Sequence, residues 1–518
     1  MFDVLIRNGR IVDGSGLPWF AGDVGIIGDR IAAVGNLAAA HAEVTIDANH
    51  QIVAPGLIDA HVHGDLALLV DPLHEAAIRQ GVTTYIIGQD GVAMTPGSAD
   101  TQEYMRRYTA GFSGGHVITD RTWYDTATYL EAFTNRCALN VAVLIPNGNV
   151  RMEVMGLDPR DSTPQERQAM RAIIQENLEQ GAVGISSGLD YIPSRYATTA
   201  ELVEICKELA PVDGVYVSHM RGYSPETVIP AMEEMATIFR ESGCAVHISH
   251  FNCLADVVLP WLDHARQNVD ITFDLYCYLF GSTILGMIAL PPDVQQGGVE
   301  PTLERLSDPA VRASLRAWFE NPRVPLEPIR LSAVAHPRFV RYEGWTLADA
   351  AKDAKMELGE FICEVAVATR LAAGTVVPHD RRRTENDLRQ LMNHPAMMGG
   401  SDGIFVGGCP HPRGTGCFAR YLGYHVRDRK HWSLEQAVSH LSYHAARRHG
   451  LRQRGLIRAG MAADVIVFDP ESIADRSTFE QGKTLAVGMS DVLVNGKLVL
   501  HQGMRTPALP GRGLRRGD

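Results

Sequence analysis

Imidazole and carboxylate side chains recur in this sequence where short apolar runs come to an end. Such runs predict β-strands, and the side chains at or near their ends are those of His61, His63, Asp90, His219, His250 and Asp402. An HxH pair on a strand points both imidazoles to one face, because side chains there repeat every two residues. One histidine at a strand end is usually a hydrogen-bonded structural residue. Four histidines and two carboxylates, all at or near the ends of predicted strands, together indicate a metal site.

This set of side chains restricts the metal and the chemistry. Imidazole and carboxylate ligands without thiolate suit one or two Zn²⁺ ions, and other divalent transition metals fit the same set. Bound zinc lowers the pKa of its water to about 7 and thus supplies hydroxide at neutral pH. Asp402 is placed to take a proton from that water and pass it to a leaving nitrogen, or simply to cap the helix that follows it. We therefore expect metal-assisted hydrolysis.

The elements that position these side chains follow an alternating pattern in the middle of the chain. Short apolar runs predict strands over 56–63, 82–90, 140–146, 182–187, 214–219, 245–250, 270–276 and 396–402. Apolar residues at helical spacing predict helices between them, over 164–180, 198–210 and 225–242. Eight strands alternating with helices predict an α/β fold, a (β/α)8 TIM barrel. Barrels of this kind carry their catalytic groups at the C-terminal ends of the strands.

The two chain ends differ from this middle part. Residues 2–54 and 455–502 alternate apolar with polar residues and are broken by Asn-Gly, Gly-Asp and Asp-Gly pairs. This pattern is typical of antiparallel strands and hairpins. We expect both ends to pair into one small β-sandwich over 1–55 and 445–518, because separate tails would leave open sheet edges.

The barrel is then expected over 56–444, with one interruption. The gap from 277 to 395 is too long for a single crossover between strands seven and eight. We expect an inserted segment there, with a lid-like part at about 285–345.

Charge and cysteine usage exclude several classes of protein. The chain has 518 residues, and its 60 acidic residues exceed 48 basic ones, giving a net charge of −12. This balance argues against a nucleic-acid or anionic-membrane binder. Eight cysteines without a CxxC pair predict reduced thiols. With no run of 18 apolar residues and no signal-peptide core at the N-terminus, a cytoplasmic protein is expected.

Several motifs together resemble one enzyme superfamily. PGLIDAHVHGD, SHMR, HISH, GGSDG and GLIRAGMAADVIVFD are similar to motifs of the amidohydrolase superfamily. SSGLDY, GSTIL and SDGIFVGGCPHPRGTG narrow the resemblance to its N-acyl-D-amino-acid deacylase (D-aminoacylase) group. The resemblance runs from Phe2 to about Leu500 and is weakest over 290–395. It implies a β-sandwich, a metal-bearing barrel with an inserted lid, and a small-molecule amide as substrate. Whether the chain forms a homo-oligomer stays open.

The resemblance also implies roles for individual residues. His219 and His250 would hold the tightly bound zinc. A second, weaker metal position would be surrounded by His61, His63 and Asp402, with Asp402 as the catalytic acid and base. Substrate would be contacted by three further residues: Tyr191 and Arg413 at its carboxylate, and Ser282 near the scissile group. Arginine suits carboxylate because its planar fork donates two parallel hydrogen bonds.

Two residues depart from the pattern of the group. Asp90 stands where the group usually has a cysteine ligand, which predicts a more evenly binuclear centre or weaker metal binding. Asn252 stands where the group often has a lysine that helps to hold the carboxylate. This neutral amide weakens the case for a free α-carboxylate on the substrate. The run of arginines at 381–383 predicts a solvated charged surface, whose one further role would be to steer anionic substrates.

Three hypotheses follow from these observations. The leading one is a metal-dependent amidohydrolase that cleaves the amide bond of an N-acyl-D-amino acid or a similar linear amide. The second, motivated by Asn252, is a hydrolase of a cyclic amide, a formamide or another carboxylate-poor amide. The third is a non-catalytic protein with the same fold, which only the missing cysteine ligand supports.

Overall fold

Eight parallel strands form a barrel in the middle of the chain. The computed structural model describes residues 1–114 and 121–518. Numbered along the chain, the barrel strands one to eight are Leu57–Asp59, Val82–Ile87, Asn140–Pro146, Gly184–Gly188, Val215–His219, Ala245–Ile248, Ile271–Leu275 and Met397–Gly399. Each pairs with the next in sequence, and the parallel bridge from Val62 to Gly403 joins the first to the last. The predicted (β/α)8 barrel is thus confirmed.

Helices connect the strands and pack around them. The α-helices are Asp65–Val70, Glu75–Ile78, Ala99–Tyr108, Ala110–Ser113, Thr126–Glu131, Asn147–Met155, Pro164–Glu179, Thr199–Cys206, Val228–Ser242, Ala255–Ala265, Leu285–Ala289, Val299–Ser307, Pro309–Ser314, Arg316–Glu320, Leu347–Ala354, Leu358–Ala368, Glu385–Met392, Arg413–Arg420, Leu434–Leu441 and Tyr443–Arg448. The predicted helix over 164–180 corresponds to Pro164–Glu179. At its N-terminus, the side chains of Thr163 and Glu166 each accept a hydrogen bond from the backbone N–H of the other residue. Among the described residues, no helix has both the length and the apolar character that crossing a bilayer requires.

Both chain ends contribute to one nine-stranded sheet outside the barrel. Its strands are Phe2–Ile11, Phe20–Ile27, Arg30–Gly35, Ala42–Asp47, Ile52–Pro55, Val465–Phe468, Met489–Val494, Lys497–His501 and Met504–Arg505. The antiparallel pair of Ile52–Pro55 with Val465–Phe468 joins the N-terminal part to the C-terminal part. Buried Ile6, Val24 and Val465 belong to a core of its own, separate from that of the barrel. The two chain ends therefore pair within one sheet.

A third sheet lies between barrel strands seven and eight. Its strands Phe280–Ile284, Arg330–Val334 and Ala373–Pro378 are antiparallel, with the last one in the middle. The Ser282 carbonyl in this sheet accepts a hydrogen bond from Arg413 Nη2 at 3.2 Å. Since Arg413 follows barrel strand eight, the inserted sheet contacts the C-terminal rim of the barrel.

Candidate metal centre

The six predicted ligand side chains meet at the C-terminal rim, and all are buried. His219 ends barrel strand five, whereas the other five residues follow the ends of strands one, two, six and eight. The HxH pair therefore lies just beyond strand one, not within it as the apolar pattern predicts. Asp90, His250 and Asp402 have positive φ angles of 56°, 34° and 50°. Residues other than glycine rarely adopt this conformation, and it is typical of functional sites.

Asp90 lies at the centre of the four imidazoles. Its Oδ1 is 3.6 Å from His61 Nε2, and its Oδ2 is 3.5 Å from His63 Nε2. The same Oδ2 is 3.7 Å from His219 Nδ1 and 3.7 Å from His250 Nε2. The residue that replaces the cysteine of the group thus faces both halves of the cluster.

The cluster fits a divalent transition metal. His61 Nε2, His219 Nδ1 and Asp90 Oδ1 are buried and have no hydrogen-bond partner within the described chain. Their separations exceed those of ordinary hydrogen bonds, so they face one another without bonding. In the two sets that share Asp90, one with His61 and His63 and one with His219 and His250, the ligand atoms lie within 4.8 Å of one another. Imidazole and carboxylate donors of this kind are those that zinc and its neighbours accept.

Asp274 on barrel strand seven orients both halves of this cluster, and sequence analysis missed it. Its Oδ2 lies 3.3 Å from His61 Nδ1 and 3.0 Å from His247 Nε2. Its Oδ1 accepts the backbone N–H of His250 at 2.7 Å. Burial alone raises the pKa of Asp274, but the two imidazoles outweigh it and hold that pKa well below its ordinary value. A carboxylate within the predicted strand 270–276 was the signal that could have found it.

Asp190 supports His219 from the opposite side. Its Oδ2 is 3.8 Å from His219 Nε2 and 2.9 Å from the Nη2 of Arg323, a residue of the insertion. Burial raises the pKa of Asp190, yet His219 and Arg323 outweigh it and bring that pKa to about 2. Burial likewise opposes charge on His219, but Asp190 and Asp90 raise its pKa to about 9. The negative charge around His219 favours a bound cation.

Asp402 forms a buried ion pair with Arg413. Arg413 Nη2 is 2.9 Å from Asp402 Oδ1, which is also 3.4 Å from His63 Nε2. Burial raises the pKa of Asp402, but the charge of Arg413 outweighs it and keeps that pKa below its ordinary value. Arg413 itself is fully buried, with its guanidinium 4.5 Å from the centre of the Tyr276 ring. Its Nε and Nη1 have no partner within the described residues.

The remaining predicted substrate residues lie on three other elements: Tyr191 follows strand four, Asn252 follows strand six and Ser282 lies in the inserted sheet. Tyr191 Oη is 3.2 Å from Thr283 Oγ1, and its ring centre lies 5.2 Å from that of His219. Ser282 donates its hydroxyl to the Thr375 carbonyl at 2.7 Å, so that hydroxyl is engaged within the inserted sheet. Asn252 donates its backbone N–H to the His250 carbonyl at 2.6 Å, and its Oδ1 is buried without a partner in the described chain.

The prediction of a solvated arginine run at 381–383 is wrong for one of its members. The side chain of Arg382 is 60% exposed and pairs with Asp380 at 2.6 Å. Arg383 is only 4% exposed, and its Nη1 donates inward to the Tyr278 carbonyl and to His379 Nδ1. A run of like charges in a sequence does not show which member turns inward.

A (β/α)8 barrel with four histidines and two aspartates at its rim defines a metal-dependent hydrolase of the amidohydrolase class. A model of the Amidohydrolase family matches residues 44–500 of this sequence. The chain therefore belongs to the amidohydrolase family. Within the family it falls in the N-acyl-D-amino-acid deacylase group, as the relatives below show.

Relatives from this group match the chain along its whole length. N-acyl-D-glutamate deacylase of Alcaligenes xylosoxydans xylosoxydans is 33% identical over 99% of this chain and 96% of its own length. D-aminoacylase of the same organism is 32% identical over 99% of this chain and 98% of its own length. The structure of N-acyl-D-glutamate deacylase from Bordetella bronchiseptica has a TM-score of 0.84 at 32% identity and covers 99% of both chains.

The same comparisons bear on the cofactor. The Bordetella bronchiseptica enzyme was solved with zinc and a phosphonate mimic of the tetrahedral intermediate. A D-aminoacylase with a binuclear metal centre has a TM-score of 0.82 at 30% identity, with full coverage of both chains. These relatives and the clustered ligands confirm the predicted class, a metal-dependent hydrolase of carbon–nitrogen bonds other than peptide bonds.

Proposed function

We propose that this protein hydrolyses the amide bond of N-acyl-D-amino acids at a centre with two metal positions, both of which Asp90 would help to hold. The observation that carries the proposal is the position of the Asp90 carboxylate, 3.5–3.7 Å from four imidazole nitrogens and beside the Asp402–Arg413 ion pair. The names of the relatives, N-acyl-D-glutamate deacylase, D-aminoacylase and N-acyl-D-aspartate deacylase, support this substrate class.

We assign the ligands to two positions. His219, His250 and Asp90 would hold one ion. His61, His63, Asp90 and Asp402 would surround the other. A carboxylate is a harder ligand than a thiolate, and its two oxygens can serve two ions. We therefore expect both positions to fill. Zn²⁺ is the ion we expect at both positions.

Asp402 is the residue we assign to proton transfer. Ions held at this centre would supply hydroxide near neutral pH, since a bound metal lowers the pKa of its water. Arg413 and His63 engage Oδ1 of Asp402, which leaves Oδ2 to accept the proton and return it to the leaving nitrogen. The low pKa of Asp402 keeps it ionised, as a general base must be.

Arg413 is also the group we assign to the substrate carboxylate. Its Nη2 is bound to Asp402, but its Nε and Nη1 remain free to donate to a ligand. Tyr191 and Asn252 would contact the same end of the substrate, while Ser282 would lie near the scissile group. The inserted part at about 285–345 would act as a lid, because Arg323 in it contacts Asp190 behind His219.

The division into units and the compartment complete the proposal. We propose a β-sandwich over 1–55 and 445–518 and a barrel over 56–444, in line with the sheet that joins both ends. A cytoplasmic location is supported by the cysteines, since all eight are free thiols and seven are buried. Cys277 and Cys417, with sulfurs 3.9 Å apart, are in hydrogen-bond contact but form no disulfide.

Metal analysis and a small substrate panel test the proposal. We expect about two zinc ions per chain, and hydrolysis of N-acetyl-D-amino acids in preference to their L-enantiomers. Asp402→Asn should retain the ion held by His219, His250 and Asp90 and lose turnover, whereas His219→Ala should lose that ion and turnover together. Full activity of the metal-free protein would refute the proposal.

Asn252 supports a second candidate, hydrolysis of a carboxylate-poor amide. The comparison of N-acetyl-D-amino acids with their methyl esters separates the two candidates. A carboxylate held by Arg413 should make the free acids clearly better substrates. Equal cleavage of acids and esters would favour the second candidate.

A further inference from the structure

Arg383 is a second buried guanidinium at the rim, and nothing described so far uses it. Its Nη1 donates to the Tyr278 carbonyl at 3.1 Å and to His379 Nδ1. Its Nε and Nη2 are buried and have no partner in the described chain. Within residues 1–114 and 121–518, no carboxylate oxygen lies within 4.0 Å of it.

A buried cation without a counter-ion is costly, because it loses water and gains no opposite charge. Most arginines near the rim avoid this cost: Arg413 pairs with Asp402, and Arg323 pairs with Asp190. Burial lowers the pKa of Arg383, and Asp387, which lies beyond ion-pair distance, offsets that effect only in part. The fold holds Arg383 in this position by hydrogen bonds through one nitrogen only, so the other two nitrogens stay available to an anion.

A chain of contacts links Arg383 to Arg413. Because His379 Nδ1 accepts from Arg383, the ring hydrogen is on Nε2, which donates to Tyr276 Oη at 3.0 Å. The Tyr276 hydroxyl hydrogen is then free to point elsewhere. The guanidinium of Arg413 lies 4.5 Å from the centre of the Tyr276 ring. Arg383 and Arg413 are thus linked through His379 and Tyr276, and each has two nitrogens without a partner in the described residues.

The loop after barrel strand six forms another side of this region. Asn252 has a buried amide oxygen without a partner in the described residues. Its neighbour Cys253 lies close enough to Arg383 for the guanidinium charge to lower the pKa of the thiol against the effect of burial. His250, which opens this loop, also acts on His379 electrostatically. Arg383 therefore lies beside the ligand-bearing loop and does not face bulk solvent.

We propose that Arg383 binds the α-carboxylate of the substrate together with Arg413. This inference rests on the proposed function and identifies a group that recognises its substrate. A carboxylate accepts at about four positions, and the four nitrogens of Arg383 and Arg413 that lack a partner in the described residues are enough to fill them. Arg383 thereby supplies the positive charge that the neutral amide of Asn252 does not.

Kinetics with Arg383→Gln test this assignment, and the adjacent Arg382→Gln is a matched control because Arg382 is exposed. The substrates are N-acetyl-D-methionine and its methyl ester, with the zinc-loaded enzyme. Loss of a charge-assisted hydrogen bond should raise KM for the acid about ten- to a hundredfold. The preference for acid over ester should shrink by the same factor. Arg382→Gln should behave as wild type, and Arg383→Lys should lie in between, since it keeps the charge.

Three outcomes would overturn the assignment. An equal loss on acid and ester would make Arg383 a structural residue that only positions His379. A loss confined to substrates such as N-acetyl-D-glutamate would place a side-chain carboxylate there instead. An unchanged preference in Arg383→Gln would leave no role in binding. A wild-type enzyme that cleaves neither N-acetyl-D-methionine nor N-acetyl-D-glutamate would refute the proposed function itself, so the two failures are distinguishable.

Discussion

Replacing Arg413 by methionine leaves the Asp402 carboxylate buried without its counter-ion. The reverse change, Asp402→Asn, leaves the fully buried guanidinium of Arg413 without its carboxylate. The double variant has neither charge. Comparing these three variants with the wild type isolates the energy of this pair from the effects of each side chain alone.

The magnitude follows from the separation of the charged atoms. At 2.9 Å and an effective dielectric constant of about 20, the Coulomb attraction is about 6 kcal/mol. Removing one partner of a buried pair typically costs about 3–5 kcal/mol, because the remaining charge stays desolvated. We expect each single variant to lose stability in this range. The double variant should lose about 3 kcal/mol less than the sum of the two single losses.

Urea unfolding of the metal-free proteins at pH 7 measures these free energies directly. The exposed pair Arg382–Asp380 is the control, since water screens it and little coupling is expected there. Additive losses at Arg413 and Asp402, or a coupling no larger than at the control pair, would refute the reasoning. The buried pair would then have no role beyond geometry.

Three further predictions concern the metal, the barrel seam and pH. Chelation should abolish hydrolysis and lower the melting temperature, because zinc at 100 times its Kd stabilises the fold by about 2.7 kcal/mol; zinc should restore both. Asp59 accepts hydrogen bonds from the backbone N–H of Ser401 at 2.8 Å and of His61 at 3.3 Å. Asp59→Asn should therefore weaken metal binding about 10- to 100-fold, as measured by titration with a competing chelator. Burial lowers the pKa of His74 from 6.5 to about 4, so below pH 6.5 the unfolded chain takes the proton first. The contribution of His74 to the unfolding free energy should therefore decrease by about 1.4 kcal/mol for each unit by which the pH falls between 6.5 and 4. His74→Asn should flatten that slope in urea titrations.

Each of these has an outcome that contradicts it. Activity that survives exhaustive chelation would exclude the metal from the reaction. Unchanged metal affinity in Asp59→Asn would mean that the junction between the first and last barrel strands keeps its shape without this carboxylate. An identical pH slope in the His74→Asn variant would show that His74 titrates alike in both states.

The fold could be predicted from the sequence because the patterns that produce strands and helices are local. All eight barrel strands were predicted, since each is a short apolar run between turn residues. Their ends were less accessible: strand one stops at Asp59, before the HxH pair. Hydrogen bonding to the neighbouring strand decides where a strand ends, and that neighbour is distant in sequence.

The candidate site was accessible only in part. Ligand types at the strand ends stand out, which located the six clustered residues. Asp274 and Asp190 were missed because they act on the far nitrogens of histidines, and only three-dimensional contact reveals such a role. Arg383 was misread because burial depends on how the helix after it packs. An inward turn of one residue in three has no signature in composition.

The seam between the first and the last barrel strand has a consequence for how the protein matures. Asp59 and Ser401 meet across 342 positions of the chain. At about 5–20 residues per second, the ribosome needs roughly 20–70 s to make that stretch. During this time His61 and His63 are already synthesised but have no Asp402 to complete their set. The metal position that we assign to His61, His63 and Asp402 would therefore fill late in biosynthesis, after the barrel has closed.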